Sequence, residues 1–383
     1  RQRCSATQPC LEQTAHPMTE NIKDIVPFDE ELWRVFRRTQ IIDKGGMRLD
    51  AIPAFIAEQL DRTDSLLVIC NLKKQAAYLF TEMNLENTVI FHLSAGMCMA
   101  HRMTVISEIN SALEKRRTDP DAPKVVCIST QVIEAGVDVS FGCVIRLCAG
   151  LDSVIQAAGR CNRNGELNGA ADVFIINCRG EDLGMLRSIK DGKMACMSLL
   201  SDYKYHPEKY PSGLTSDEAV YAYYKKFYIQ SDIGAQDMPI KIDGSPFTLF
   251  DLLSLDRTFA NAPYLKANGE KYALTQAFKT AGSRFTVFGS RTTDVIVPYG
   301  EGKEIITELG SKRVEEDIKY LKKLIKKARA YTVSLYENQR RALADSGALH
   351  PIADGIALAL SEEFYNEDFG LNLDGESREA ITL

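Results

Sequence analysis

The chain has 383 residues, 45% of them hydrophobic and 26% charged, a composition that excludes a disordered or low-complexity protein and allows two or three domains with real cores. The net charge of -6 is uneven: residues 351–383 hold eight acids and one base, which makes that segment -7 and leaves +1 for the rest. An anionic partner for the main body is therefore compatible with the total.

The chain opens with RQRCSATQPC, without a Met or the apolar stretch of a signal peptide, and reads as a piece of something longer. No run of about 18 apolar residues suggests a membrane span. After an opening stretch of helical pattern come five short runs: SLLVICN (65–71), TVIFHLS (88–94), KVVCIST (124–130), CVIRLCA (143–149) and ADVFIIN (171–177). Each is rich in Val and Ile and apolar on both faces. Helical patterns such as LKKQAAYLFTEM (72–83) and MAHRMTVISEINSALEKRR (99–117) separate them. Buried strands alternating with helices predict an α/β fold, a doubly wound parallel sheet with right-handed crossovers. Such sheets bind ligands at the carboxyl ends of their strands. Asn71, Ser94 and Thr130 fall at those ends.

The ten cysteines lie between Cys4 and Cys196, with no C-x-x-C pair and no histidine at zinc-site spacing; they read as reduced thiols of a cytoplasmic protein, and no metal site is expected. Beyond about residue 180 the pattern shifts to a tyrosine-rich helix (AVYAYYKKFY, 219–228) and to scattered Pro and Gly. In KRVEEDIKYLKKLIKKARA (312–330), Val314, Ile318, Leu321, Ile325 and Ala328 share one helical face. Its lysines read as a solvated face or as a basic strip beside nucleic acid.

Two stretches carry candidate chemistry. SVIQAAGRCNRNGE (153–166), taken as a helix, places Gln156, Arg160 and Arg163 on one face and Leu151, Val154, Ile155 and Ala158 on the other. Guanidinium forks suit phosphate oxygens, and Gly159 permits close backbone approach; a surface helix with solvated arginines is the alternative. TQVIEAGVD (130–138) follows the third strand. Here Thr130 can offer a hydroxyl to a phosphate and Asp138 can accept from a ribose, with Gly136 between them; a capping Thr and a turn Asp are the alternatives.

STQVIEAGVD followed by DSVIQAAGRCNR resembles motifs V and VI of superfamily 2 helicases, and Ser5-Ala6-Thr7 resembles their motif III. The phrases SATQP, FHLSAGMCMAHR and QAAGRCNRNGE, with Cys161-Asn162-Arg163 and His101-Arg102, are similar to the helicase-nuclease of type I CRISPR systems. The resemblance is strong over residues 1–178. It is fainter downstream, where FTLFDLL, DVIVPY and YTVSLYENQ are similar to the subtype I-C form. One departure is Ser94-Ala95, where Ser-Thr is common.

The resemblance implies residues 1–185 as the second RecA-like helicase domain from motif III onward, 186–300 as a linker and accessory region, and 301–383 as a C-terminal domain. The family's front carries an HD nuclease domain and a first RecA-like domain with the P-loop. Here no G-x-x-x-x-G-K-[ST] occurs, since neither Gly192-Lys193 nor Gly302-Lys303 is followed by Ser or Thr. No histidine precedes an Asp, and Asp29-Glu30-Glu31 comes after motif III, the wrong order for a Walker B box. By resemblance, Gln156, Arg160 and Arg163 close onto ATP held by the other domain, with Arg163 as arginine finger. Gly136, Asp138 and Gly159 border the nucleotide, while Thr130, Ser94 and Asn71 touch single-stranded DNA. Mg²⁺ ligands would lie on the missing front. The implied partners are that front, single-stranded DNA and the CRISPR surveillance complex (Cascade), and the chain by itself would be inactive. A superfamily 2 RNA helicase, or a DNA- or complex-binding module without catalysis, are the competing readings.

Overall fold

The computed structural model describes Thr7, Cys10 and residues 37–134, 136–184, 186–230, 238–242, 245–253, 276–285 and 292–373. Ser5, Ala6, Asp29, Glu30 and Glu31 lie outside the described residues, as does most of the opening stretch. Strands β1 (Thr39–Arg48), β2 (Ser65–Ile69), β3 (Thr88–Leu93), β4 (Lys124–Ser129), β5 (Cys143–Leu147) and β6 (Ala171–Arg179) form one sheet in the order β1-β6-β5-β2-β4-β3. Every neighbouring pair is parallel. The five apolar runs are thus five of its six strands. Because their side chains are apolar on both faces, both faces need cover. Helices α1 (Ile52–Leu60) and α2 (Lys73–Glu82) supply it on one side through Ile56 and Leu79 against Val68, Val126 and Ile145. Helices α3 (Met99–Thr118) and α4 (Leu151–Ala158) supply it on the other through Ile109 and Ala157 against Leu67, Cys127 and Val144.

The opening stretch departs from its helical reading at β1, which among the described residues is an edge strand paired with β6 alone. It has no apolar run because an edge strand is half solvated, and its register shifts between Asp43 and Gly46, where Gly45 N donates to Asp43 Oδ1 at 2.8 Å.

Helices α5 (Arg187–Tyr205) and α6 (Asp217–Gln230) share a core with the sheet domain: Leu199 and Tyr223 pack with Leu151, Val154 and Ile175. Tyr223 Oη also donates to Asp152 Oδ1 at 2.8 Å. The boundary expected at residue 185 therefore falls just ahead of helices that belong to this core. A hairpin pairs β7 (Pro239–Ile242) with β8 (Ser245–Thr248). A second sheet follows, made of β9 (Thr292–Ile296), β10 (Thr332–Tyr336), β11 (Leu349–Ile352) and β12 (Ala357–Leu360) in the order β10-β9-β12-β11. Since β9 precedes residue 300, the second expected boundary cuts through this sheet.

The basic helix is broken rather than continuous. Asp317 Oδ1 accepts from Lys319 N and Tyr320 N at 2.9 and 3.0 Å and restarts a helix over Ile318–Ala328. The restart turns Ile318 outward to 67% exposure, and Leu324 joins Val314 and Ala328 in the core instead.

The C-terminal module docks on the edge of the first sheet through a hairpin of β13 (Tyr365–Asn366) and β14 (Gly370–Leu371). Leu371 N donates to Gly96 O at 2.8 Å. Gly370, at φ +76°, lies so close that a Cβ there would stand 2.4 Å from Gly96 O. Nearby, His101 Nδ1 bonds Tyr365 Oη at 2.9 Å and its ring stacks on Tyr299 at 4.2 Å.

His92, on β3, is 5% exposed and packs its ring among Phe80 and Phe369, with Nδ1 unpartnered among the described residues. Burial, with His101 nearby, pushes its pKa down to about 4. The folded state thus favours neutral His92, so this contribution is present above the ordinary histidine pKa of about 6.5 and is lost as pH falls toward about 4. Between those limits, urea titrations should show wild type losing about 1.4 kcal/mol per pH unit more than His92→Leu. Parallel slopes for the two proteins would refute the assignment.

Candidate functional site

The loop after β4 and the turn after α4 meet on one face. Helix α4 ends at Ala158 with Gly159 as its C-cap, so Arg160 and Arg163 lie beyond the helix and do not continue the face that carries Gln156. The helical reading of 153–166 is corrected on this point. Gly159 N closes on Ile155 O at 3.0 Å, and the chain then turns to make a bridge between Cys161 and Phe141. Gln156 remains exposed on the last turn of α4.

The two arginines have opposite surroundings. Arg160 is 7% exposed; its Nε donates to Ile133 O at 3.0 Å and its Nη2 to Glu134 O at 2.6 Å. It is a strut under the loop after β4, not one of a row of free donors. The Arg163 side chain is 41% exposed, and its Nε stands 2.9 Å from Oδ1 of Asp138, whose own side chain is 86% exposed. The turn that presents Arg163 is held firmly: Asn162 takes φ +46°, and its amide donates to Arg38 O and Gly169 O at 3.3 and 3.2 Å. Arg163 N donates to Ser140 Oγ at 3.0 Å, and Ser140 Oγ donates to Glu166 Oε2 at 2.9 Å. Gly136, at φ +73° with open space where a Cβ would stand, lets the loop turn in the left-handed region.

At the carboxyl edge of the sheet, Ser94 and Thr130 stand side by side, because Leu93 pairs with Ser129 in register and Thr130 N donates to Leu93 O at 3.0 Å. Thr130 is 3% exposed, and its Oγ1 is buried with no partner among the described residues. Ser94 Oγ accepts from Gly96 N at 3.2 Å. Asn71 differs from both. Its Nδ2 donates to Cys148 O at 3.0 Å and Glu181 Oε1 at 2.9 Å, and its Oδ1 accepts from Arg146 Nη1 at 2.7 Å. The expected phosphate contact by this side chain is corrected: its donors are consumed inside the fold.

What holds Asn71 is a buried polar network that pattern reading missed. Arg146, on β5, is fully buried; its Nη1 also donates to Leu147 O at 2.8 Å, and its Nε lies 2.9 Å from Glu134 Oε1, out of line for a hydrogen bond. Burial pushes the Glu134 carboxyl up, while the Arg146 guanidinium pulls it down. At the other end, Glu181 Oε1 also accepts from Gln75 Nε2 at 2.9 Å, and Glu181 Oε2 meets Lys193 Nζ at 2.6 Å. A signal existed: Arg146 is the one charged residue in the run CVIRLCA. Among the described residues no group of three or more His, Cys, Asp or Glu could hold a metal ion, and no helix is long and apolar enough to cross a membrane.

Residues 62–166, which contain both arginines, both loops and the sheet edge, match a family model described as CRISPR-associated nuclease/helicase Cas3, C-terminal. A stretch of 41 residues, 11% of this chain, is 66% identical to 4% of the CRISPR-associated nuclease/helicase Cas3 of Haloferax volcanii. A crystal structure of a CRISPR-associated protein aligns over 88% of this chain and 41% of its own, with a TM-score of 0.50 and 13% identity. That of T. fusca Cas3 aligns over 68% of this chain and 30% of its own, with a TM-score of 0.42 and 13% identity. The chain thus spans less than half the length of each of these relatives.

Stability separates the arginines. Arg160→Ala leaves two carbonyls without their charged donor and is expected to cost about 2–3 kcal/mol, whereas Arg163→Ala removes an exposed pair and should stay within about 0.5 kcal/mol. Chemical denaturation of both variants checks this, and equal losses would contradict the difference in burial.

Proposed function

From the match of residues 62–166 to the model of the C-terminal part of Cas3, we propose that this chain is the arginine-finger half of an ATP-dependent motor that moves along single-stranded DNA in CRISPR interference. It acts in the cytoplasm beside an HD nuclease, on DNA marked by the Cascade surveillance complex. The observation that carries the reading is Arg163: a guanidinium on a rigid turn, tethered to an exposed carboxylate at 2.9 Å and, by a long 3.5 Å bond from Nη1, to Gly159 O. An exposed pair of this kind is worth about 0–1 kcal/mol, so Asp138 can give up Arg163 to a stronger anion at little cost.

In this mechanism a P-loop domain holds ATP, which supplies the transferable phosphoryl group. Arg163 places its planar fork against the negative charge that develops there. Arg160 keeps the loop at Ile133 and Glu134 in place while this happens, through its bonds to both carbonyls. Gly136 and Gly159 offer backbone for close approach, and exposed Gln156 and Asp138 offer polar groups at the nucleotide's rim. The ligands of Mg²⁺ belong, in this reading, to the P-loop side.

On the DNA side, Thr130 supports the reading with a hydroxyl that has no partner among the described residues, and Ser94 stands next to it. Thr130 begins the segment that ends at Asp138, so one stretch of chain touches both ligands.

In the complete enzyme, Arg163→Ala should lower the DNA-stimulated turnover of ATP by about 10³-fold or more with little change in KM, as finger arginines do in other NTPases. This chain alone should hydrolyse ATP no faster than background. Unchanged turnover in the variant sinks the proposal.

Thr130→Ala removes a neutral group. It should weaken binding of unrelated oligonucleotides equally and leave the slope of log affinity against log salt unchanged, since only a lost phosphate neutralisation would move it, by about 0.7 each on a single strand. Fluorescence-anisotropy titrations at several salt concentrations measure both quantities. Loss of affinity for one sequence only would count against backbone tracking.

A further inference from the structure

The proposed finger, Arg163, meets the loop 131–138 through Asp138, and a buried ion pair ties that loop to the interior beside its apolar anchors Ile133 and Val137. Glu134 is 8% exposed and lies over β5, with its carboxylate 2.9 Å from Arg146 Nε. Its backbone carbonyl receives Arg160 Nη2 at 2.6 Å. Four residues further along, Asp138 holds Arg163. Arg146 is anchored independently of the loop: its Nη1 donates to Asn71 Oδ1 at 2.7 Å and to Leu147 O at 2.8 Å. Asn71 in turn is held by Glu181, which is salt-bridged to Lys193 of α5 at 2.6 Å.

The contact between carboxylate and guanidinium is not the arrangement that pure stabilisation would select. The Nε of Arg146 is out of line, its Nη2 has no partner among the described residues, and both groups are buried. A buried ion pair left partly unsatisfied returns little stability against apolar groups of the same size. What it does provide is an electrostatic attachment of the loop at a defined place above β5.

We propose that Glu134 and Arg146 are positioning residues for the nucleotide face: the pair sets where the loop 131–138 stands above the sheet, and through Arg160 and Asp138 it sets where Arg163 points. The inference rests on the arginine-finger reading for its catalytic consequence, though not for its structural part. Neither residue touches nucleotide. Their effect is on the geometry of a group that acts in the transition state, so it belongs in kcat and not in KM.

The test uses the double variant Glu134→Gln/Arg146→Met, which removes both buried charges together at similar volume, and Arg146→Lys, which keeps the charge and loses the planar fork. In this chain, hydrogen exchange of the 131–138 amides should rise by about tenfold or more in both variants, while the strands of the sheet keep their protection. In the complete enzyme, kcat for ATP should fall by about 10- to 100-fold at unchanged KM. A folded double variant with wild-type exchange in the loop overturns the proposal. So does loosened exchange with full kcat, provided Arg163→Ala in the same assay is inactive. Unfolding of both variants assigns the pair to stability alone and overturns it equally. If Arg163→Ala stays active while exchange rises, the finger reading has failed and the structural half of the inference stands.

Discussion

A guanidinium at the centre of a parallel sheet dictates much of what surrounds it. Arg146 is fully buried on β5, between β2 and β6. An isolated charge in such a place costs far more than a single contact returns, so acceptors must be brought to it. Four are present: the Ile69 carbonyl at the end of β2, the Asn71 amide beyond it, the Leu147 carbonyl on its own strand, and the Glu134 carboxylate from the loop after β4. That last contact draws the loop back over the sheet. There its carbonyls meet Arg160 and its far end meets Arg163.

From this follows a division of labour between two arginines three positions apart. Arg160 spends its donors on backbone and is part of the scaffold. Arg163 keeps an exposed fork on a turn fastened by Asn162 and Ser140. A group that must meet a charged ligand repeatedly gains from this arrangement, because the backbone under it is preorganised while its own tether is weak. At the carboxyl edge of the sheet the pattern repeats in a neutral key: Thr130 is fixed through its backbone, and its hydroxyl has no partner among the described residues.

The C-terminal module is seated where it can influence this edge. Its hairpin bonds to the turn that follows Ser94, with Gly370 against Gly96 at a distance that excludes any Cβ. His92 and His101, both on the sheet domain, contribute rings to the joint. Neighbouring side chains around His92 are aromatic, which accounts for its preference for the neutral state.

Much of the sheet was readable from the residues alone, because a central parallel strand must be apolar on both faces and therefore announces itself as a short Val/Ile run. The edge strand β1 was not, since half of it faces water and its Gly45-Gly46 bulge looks like a turn. The resemblance of TQVIEAGVD and QAAGRCNR located the region where the loops meet, and those segments do converge. Sequence also indicated which residues have the chemistry to serve a phosphate. It could not tell which of them remain free to do so. Arg160, Arg163 and Asn71 all carry N–H donors, but the interior claims those of Arg160 and Asn71 and leaves the Arg163 fork at the surface. That allocation depends on which carbonyls and carboxylates lie within hydrogen-bond reach of each donor. Since those partners come from positions up to 110 residues away, as Glu181 does for Asn71, only the folded chain decides it.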